Sequence, residues 1–234
     1  MFIIASTGRC GTEAICHGLD RFSDHAVEHE PEPRLLREAH LKHLGEEYRT
    51  PTYEERMRFF RDRAHARYGQ SFRAPNLLED IVSVAAEARV LVVVRTPAEY
   101  VVSAHALGVL RRGDEWDQAR ILPRGVSEAS ERGSLAARIA WHWDAVNRYL
   151  LDFAERSGAP ARVVLLRPLE DALPRWAAWL GVEIADPGGL RDFLASKPNA
   201  SPSRELPEGY DPATIQRICG ETWRRAERLA APGA

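Results

Sequence analysis

The sequence predicts an α/β protein of three layers, in which a central, mostly parallel sheet is covered by helices on both faces. Three observations predict it. Short apolar runs alternate with longer stretches of helical periodicity. One run, "VLVVV" at 90–94, is apolar at every position, as a strand buried on both faces must be. The segments that follow the runs carry glycine, proline and hydroxyl residues in the order that turns a strand into a helix.

Taken in order, "FIIA" at 2–5 reads as the first strand, "GRCGT" at 8–12 as a tight turn, and 12–19 as a helix. "HAVEH", centred on Val27, is the second strand, and helical periodicity runs through much of 34–68. The third strand at 90–94 leads into a helix over 98–109. A helix over 135–155, a fourth strand at 163–166 and helices over 173–180 and 212–229 complete the pattern. Residues 111–133 and 186–212 are rich in glycine, proline, serine and charge and read as long loops, which in a compact domain are usually functional or mobile. No internal repeat breaks the series, and a single domain over 1–234 is expected.

Composition narrows the function classes. The 234 residues are 44% hydrophobic and 28% charged, the profile of a globular protein with a full core. Thirty-two Lys and Arg against 34 Asp and Glu leave a net charge of -2, so no overall field favours nucleic acid or an anionic membrane. Any anion site must be local. Cys10, Cys16 and Cys219 show neither disulfide-dense nor zinc-like spacing, and no secretory leader or membrane-length apolar run is evident; a cytoplasmic protein is expected.

Parallel sheets gather ligands at the carboxyl ends of their strands, so the residues after each strand are the candidates. After the first come Gly8, Arg9, Cys10, Gly11, Thr12 and Glu13, where main-chain N–H groups, a helix N-terminus and a guanidinium converge as an anion requires. It is not a Walker A loop, which needs GxxxxGK[ST]. After the third strand, Arg95 stands at the strand end. Thr96, Pro97 and Glu99 then form a helix start with a capping box, and Ser103 lies on the second turn. An arginine and a hydroxyl there are suited to a second phosphate. After the second strand, "VEHEPEP" offers Glu30, with His29 and Glu32 as rivals, as a base; Pro31 is expected to hold Glu30 extended.

Two anion grips at the ends of separate strands resemble the sulfotransferases that use 3'-phosphoadenosine 5'-phosphosulfate (PAPS), in motif style closest to the carbohydrate-type and bacterial branch. In that family a [KR]-S-G-T-[TS] loop holds the 5'-phosphosulfate, and an arginine and a serine eight residues apart, with a proline two after the arginine, hold the 3'-phosphate. Arg9, Gly11 and Thr12 match the first motif, and Arg95, Pro97 and Ser103 the second. "VVLLRPLEDALPRWAAWLGV", "ARIAWHWDAVNRYL" and "IQRICGETWRRAERL" are similar to later stretches of the family, in the same order.

The resemblance implies a P-loop-like fold, PAPS as donor, adenosine 3',5'-bisphosphate (PAP) as product, no metal, Arg9 as a charge-stabilising residue and a glutamate base, which Glu30-Pro31 resembles. It implies a small-molecule, natural-product or carbohydrate acceptor, with no nucleic-acid or membrane partner; oligomeric state stays open. Cys10 and Glu13 depart from the motif, and Glu13 places a carboxylate beside a polyanion. Two other functions stay open: a P-loop-like kinase using a nucleoside triphosphate with magnesium, and a binding protein that kept the pocket and lost catalysis. "HAVEH" also matches the H-x-x-E-H zinc pattern, which requires a helix that the following prolines disfavour. His40, His43 and His65 read as solvated surface, the aromatics of 34–73 and Trp141, Trp143, Trp176 and Trp179 as core, and Lys197 or Arg204 as closing over the nucleotide.

Overall fold

The computed structural model describes residues 1–31, 50–72, 77–110, 133–196 and 205–231. Its centre is a five-stranded sheet: β1 (Phe2–Ala5), β2 (Ala26–His29), β3 (Tyr68–Phe72), β4 (Arg89–Val94) and β5 (Ala161–Leu165), in the order β2-β3-β1-β4-β5. Every adjacent pair is parallel, so all five carboxyl ends open on one edge. The expected α/β class and parallel sheet are therefore observed.

Alternation along the strands builds two cores. Ile3, Ala5, Val90, Val92, Val94 and Val163 face one layer, while Phe2, Ile4, Leu91, Val93 and Val164 face the other. The first layer contains α2 (Thr50–Arg63), α3 (Leu78–Val84), α4 (Pro97–Ala106), α5 (Leu135–Arg156) and α8 (Pro212–Leu229). The second contains α1 (Thr12–Phe22), α6 (Leu169–Leu180) and α7 (Pro187–Ala195). Burial of β4 on both faces explains its unbroken apolar run. Among the described residues no helix is long and apolar enough to cross a membrane.

Besides α3, a helix that the sequence pattern did not indicate, three elements depart from expectation. β3, which was not anticipated, begins at Tyr68, the last residue of the stretch expected to be helical, while α2 stops at Arg63. "YGQSF" hides its strand character behind a glycine and two buried polar residues, Gln70 and Ser71. The glycine is required: the Phe2 ring crosses it, and a Cβ at Gly69 would stand 2.0 Å from Phe2 Cζ. Second, α7 lies within the expected 186–212 loop. Asp186 caps it through Oδ1, which accepts from the Gly189 N–H at 2.9 Å, and Pro187 starts its first turn. Two glycines concealed that helix. Third, α6 begins four residues earlier than the apolar spacing indicates, with Pro174 inside it. Residues 34–49, and 111–132 of the loop expected at 111–133, lie outside the described residues.

The helix over 135–156 is tied to α8 through a buried carboxylate. Asp144 accepts from Thr222 Oγ1 at 2.5 Å and from Arg148, which satisfies a charge that burial would otherwise make costly. Trp143 and Trp176 are buried, and so are Phe60 and Tyr68, in keeping with the core role expected for them.

Gly69→Ala is expected to lower the unfolding free energy by about 1–3 kcal/mol through overpacking. Urea denaturation should show a smaller loss when the same change is made in a Phe2→Ala background, because the ring that clashes is then gone.

Candidate functional site

β1 and β4 are hydrogen-bonded neighbours, and Ala5 pairs with Val92. β4 runs on to Val94, so Arg95 rises beside the loop that leaves β1. Ser6 and Thr7 are buried and brace this loop from within. The Gly8 N–H donates to Ser6 Oγ at 3.0 Å, and Thr7 Oγ1 donates to the Gly8 carbonyl at 3.2 Å. Gly8, Arg9 and Gly11 have φ of 78°, 56° and 71°. Left-handed backbone is ordinary for glycine and costs another residue about 1–2 kcal/mol. At Gly11 a side chain would also come within 3.1 Å of Leu169 Cδ1.

This backbone delivers the chain to α1 with Gly11, which has no side chain to cap the first turn, as its N-cap. The initial N–H groups of the helix therefore suit an external anion. Cys10 turns into the core, where its thiol donates to the Gly8 carbonyl at 3.3 Å. Only the main chain of Cys10 is left to meet a ligand, and burial pushes its thiol pKa up.

The second motif starts α4 with Thr96 as N-cap and Pro97 in the first turn. The expected capping box does not form: Thr96 makes no side-chain cap bond, and Glu99 Oε2 lies 3.6 Å from Arg95 Nε. A full positive charge four residues back attracts the carboxylate more strongly than a neutral amide. Arg95 Nε is buried without a hydrogen bond among the described residues. Arg95 Nη1 donates to the Arg9 carbonyl at 2.9 Å, and Trp143 Nε1 donates to the Arg95 carbonyl at 2.9 Å.

The two expected grips form one cluster. Arg9 Nε donates to Ser103 Oγ at 3.1 Å, joining the first loop to the second turn of α4. Burial, and then the charge of Arg95, hold the Arg9 pKa below its ordinary value, with Tyr100, Cys10 and Glu13 acting in the opposite sense. Two guanidiniums brought together in part-buried surroundings form a local positive site on a chain of net charge -2.

Sequence reasoning missed the layer behind it. Tyr100 and His142 are buried and stacked, with the phenol oxygen 2.9 Å from His142 Nδ1. Tyr100 precedes Ser103 by three residues, one helical turn, which was a usable signal. Trp143 read as core and is core, yet its indole N–H also serves the site; no spacing in the sequence announces that bond.

Glu30 follows β2. Pro31 excludes right-handed helix there as expected, but φ is 48°, left-handed where an extended residue was anticipated. The Glu30 N–H still donates to the Ser71 carbonyl, at 3.3 Å, so the ladder with β3 reaches one residue beyond β2. β3 separates β2 from β1, so Glu30 leaves the sheet two strand spacings, about 10 Å, from the end of β1. His29 Nδ1 lies 2.6 Å from Ser71 Oγ. "HAVEH" is strand over 26–29, which cannot present two histidines on one helical face, so the zinc reading fails. Glu32, His40, His43, Lys197 and Arg204 lie outside the described residues. Among those described, no three His, Cys, Asp or Glu side chains converge as a metal site.

The chain is an α/β protein with the sulfotransferase fold. The chain is similar to a sulfotransferase from Alicyclobacillus acidocaldarius, with a TM-score of 0.55 over 98% of this chain and 94% of that one, at 15% sequence identity. At that identity the likeness is one of fold. No protein-family model matches the chain, and no curated protein does.

Burial pushes the Cys16 thiol up to about 12, opposed by the Ser71 hydroxyl and reinforced by the Glu30 and Asp20 charges. Cys10 and Cys219 are likewise raised and buried. Thiol titration at about pH 8 should label none of the three cysteines in the folded protein and all of them in denaturant. The raised folded value of Cys16 also fixes a sign: an unfolded thiol loses its proton near pH 9, so stability should fall as pH rises from about 9 towards 12.

Proposed function

We propose that the chain is a sulfotransferase that moves the sulfuryl group of PAPS to a hydroxyl on a small-molecule, natural-product or carbohydrate acceptor. The observation that carries the proposal is the meeting of Arg9, Arg95 and Ser103 around a left-handed, glycine-flanked loop at the carboxyl ends of adjacent parallel strands. A donor with an anhydride at one end and an isolated phosphate at the other fits such a cluster. Main-chain N–H groups at 10–13 and the Arg9 guanidinium would take the 5'-phosphosulfate; Arg95 and Ser103 would take the 3'-phosphate. The buried Arg95 Nε, without a hydrogen bond among the described residues, is a donor that a phosphate oxygen would satisfy.

The transfer balances simply. The acceptor oxygen bonds to sulfur as the bond from sulfur to the bridging oxygen breaks; the electron pair leaves with PAP, and the acceptor proton passes to Glu30. Little covalent chemistry falls to the protein, as in phosphoryl transfer, so positioning and charge stabilisation dominate. No metal is needed. Glu30, two strand spacings from β1, would stand across the space an acceptor must occupy, and its left-handed backbone is the kind of strain that gathers at functional sites.

Glu13 favours a second reading, a nucleotide-binding protein with weakened donor affinity. It is half-buried in the first turn of α1, and its charge acts on Arg9, where the donor's negative charge would lie.

Calorimetric titration should show micromolar binding of PAP without metal and little binding of ATP with magnesium. ATP binding without PAP binding would overturn the proposal in favour of a kinase. Ser103→Ala is expected to weaken PAP about tenfold, the worth of one charge-assisted hydrogen bond. Glu13→Gln should tighten PAP several-fold by removing a like charge, roughly 0.3–1 kcal/mol at a helix N-terminus.

A further inference from the structure

Arg9 holds a left-handed backbone that its side chain makes unfavourable, and β4, the parallel neighbour of β1, ends beside its loop. Arg95 reaches over and donates from Nη1 to the Arg9 carbonyl. Its own carbonyl is held by the indole of Trp143, which is fully buried in the first core. A continuous series of bonds thus runs from the core of α5 through the end of β4 into the anion loop. It continues from the Arg9 side chain to Ser103 on α4.

We infer that Arg95 is a positioning residue for the anion loop: it clamps Arg9 in the left-handed conformation that directs the loop's N–H groups to the 5'-phosphosulfate. This is a task separate from contact with a 3'-phosphate. A guanidinium has five N–H donors in a fixed fork, so one bond to the loop leaves room for both roles. The ligand-binding part of the inference rests on the proposed nucleotide site; the clamping part does not. A consequence follows for specificity. The residue that selects the 3'-phosphate also shapes the site for the 5'-phosphosulfate, so the two ends of the donor are recognised together.

The test uses Arg95→Ala and Arg95→Lys, each first checked for folding by thermal unfolding. Arg95→Lys keeps the charge for a phosphate but lacks the fork that reaches the Arg9 carbonyl, and it serves if Arg95→Ala fails to fold. In ligand-free protein, amide hydrogen exchange is followed over 6–15, which includes the Gly8 N–H on Ser6 and the Ile15 N–H on Gly11. Both Arg95 variants should exchange there about tenfold faster than wild type.

In calorimetry, both Arg95 variants should lose about tenfold in affinity for adenosine 5'-phosphate, which has no 3'-phosphate to contact. Unchanged exchange over 6–15 in both variants overturns the inference. So does a loss confined to PAP, with adenosine 5'-phosphate binding intact, which would make Arg95 a 3'-phosphate contact only. If wild type binds neither nucleotide, the proposed function fails, and the exchange measurement decides the clamp by itself.

Discussion

The parallel pairing of β1 with β4 brings two arginines to one place. Ala5 lies opposite Val92, and β4 outruns β1, so Arg95 rises beside the loop that leaves β1 and reaches the carbonyl of Arg9. Were another strand inserted between them, the two motifs would stand about 10 Å apart, two strand spacings, and the bond from Arg95 to Arg9 could not form. The strand order is in turn maintained by side chains on both faces. Phe2 lies over Gly69 on one neighbour, and the alternating residues of β4 fill two separate cores.

Electrostatics then gives the site its character. The chain as a whole is slightly acidic, and Arg9 and Arg95 meet in a local positive site. Mutual repulsion and burial make that arrangement unfavourable by itself, and two carboxylates temper it: Glu99 beside Arg95, and Glu13 through its charge on Arg9. A bound polyanion would relieve the same repulsion more completely. The left-handed backbone at Arg9 and Glu30 adds local strain at the carboxyl ends of two strands.

Legibility in the sequence followed the strength of the local signal. β4, buried on both faces, and α8, with Asp211 accepting from the Ala213 and Thr214 N–H groups at its start, were readable because pattern and cap agree with the tertiary structure. β3 was not, because its glycine answers to Phe2 and its Ser71 to His29, both distant in sequence. α7 was concealed by the glycines of its first turn. At the site, the residue types and their order were legible from strand–turn–helix grammar. The contact between the two motifs was not: Arg9 with Ser103 spans 94 positions, and Arg95 with Arg9 spans 86. The capping box at Thr96 was misjudged because the local motif competes with an ion pair to Arg95.

The most direct test of the central claim, that this cluster is a donor site for a nucleotide with two separated anionic ends, is a crystal structure of the protein with PAP bound. The account predicts the 5'-phosphate on the N–H groups of 10–13 and the 3'-phosphate at Ser103, with Arg95 still donating to the Arg9 carbonyl. A nucleotide bound away from both motifs, or in the reverse orientation, would contradict it.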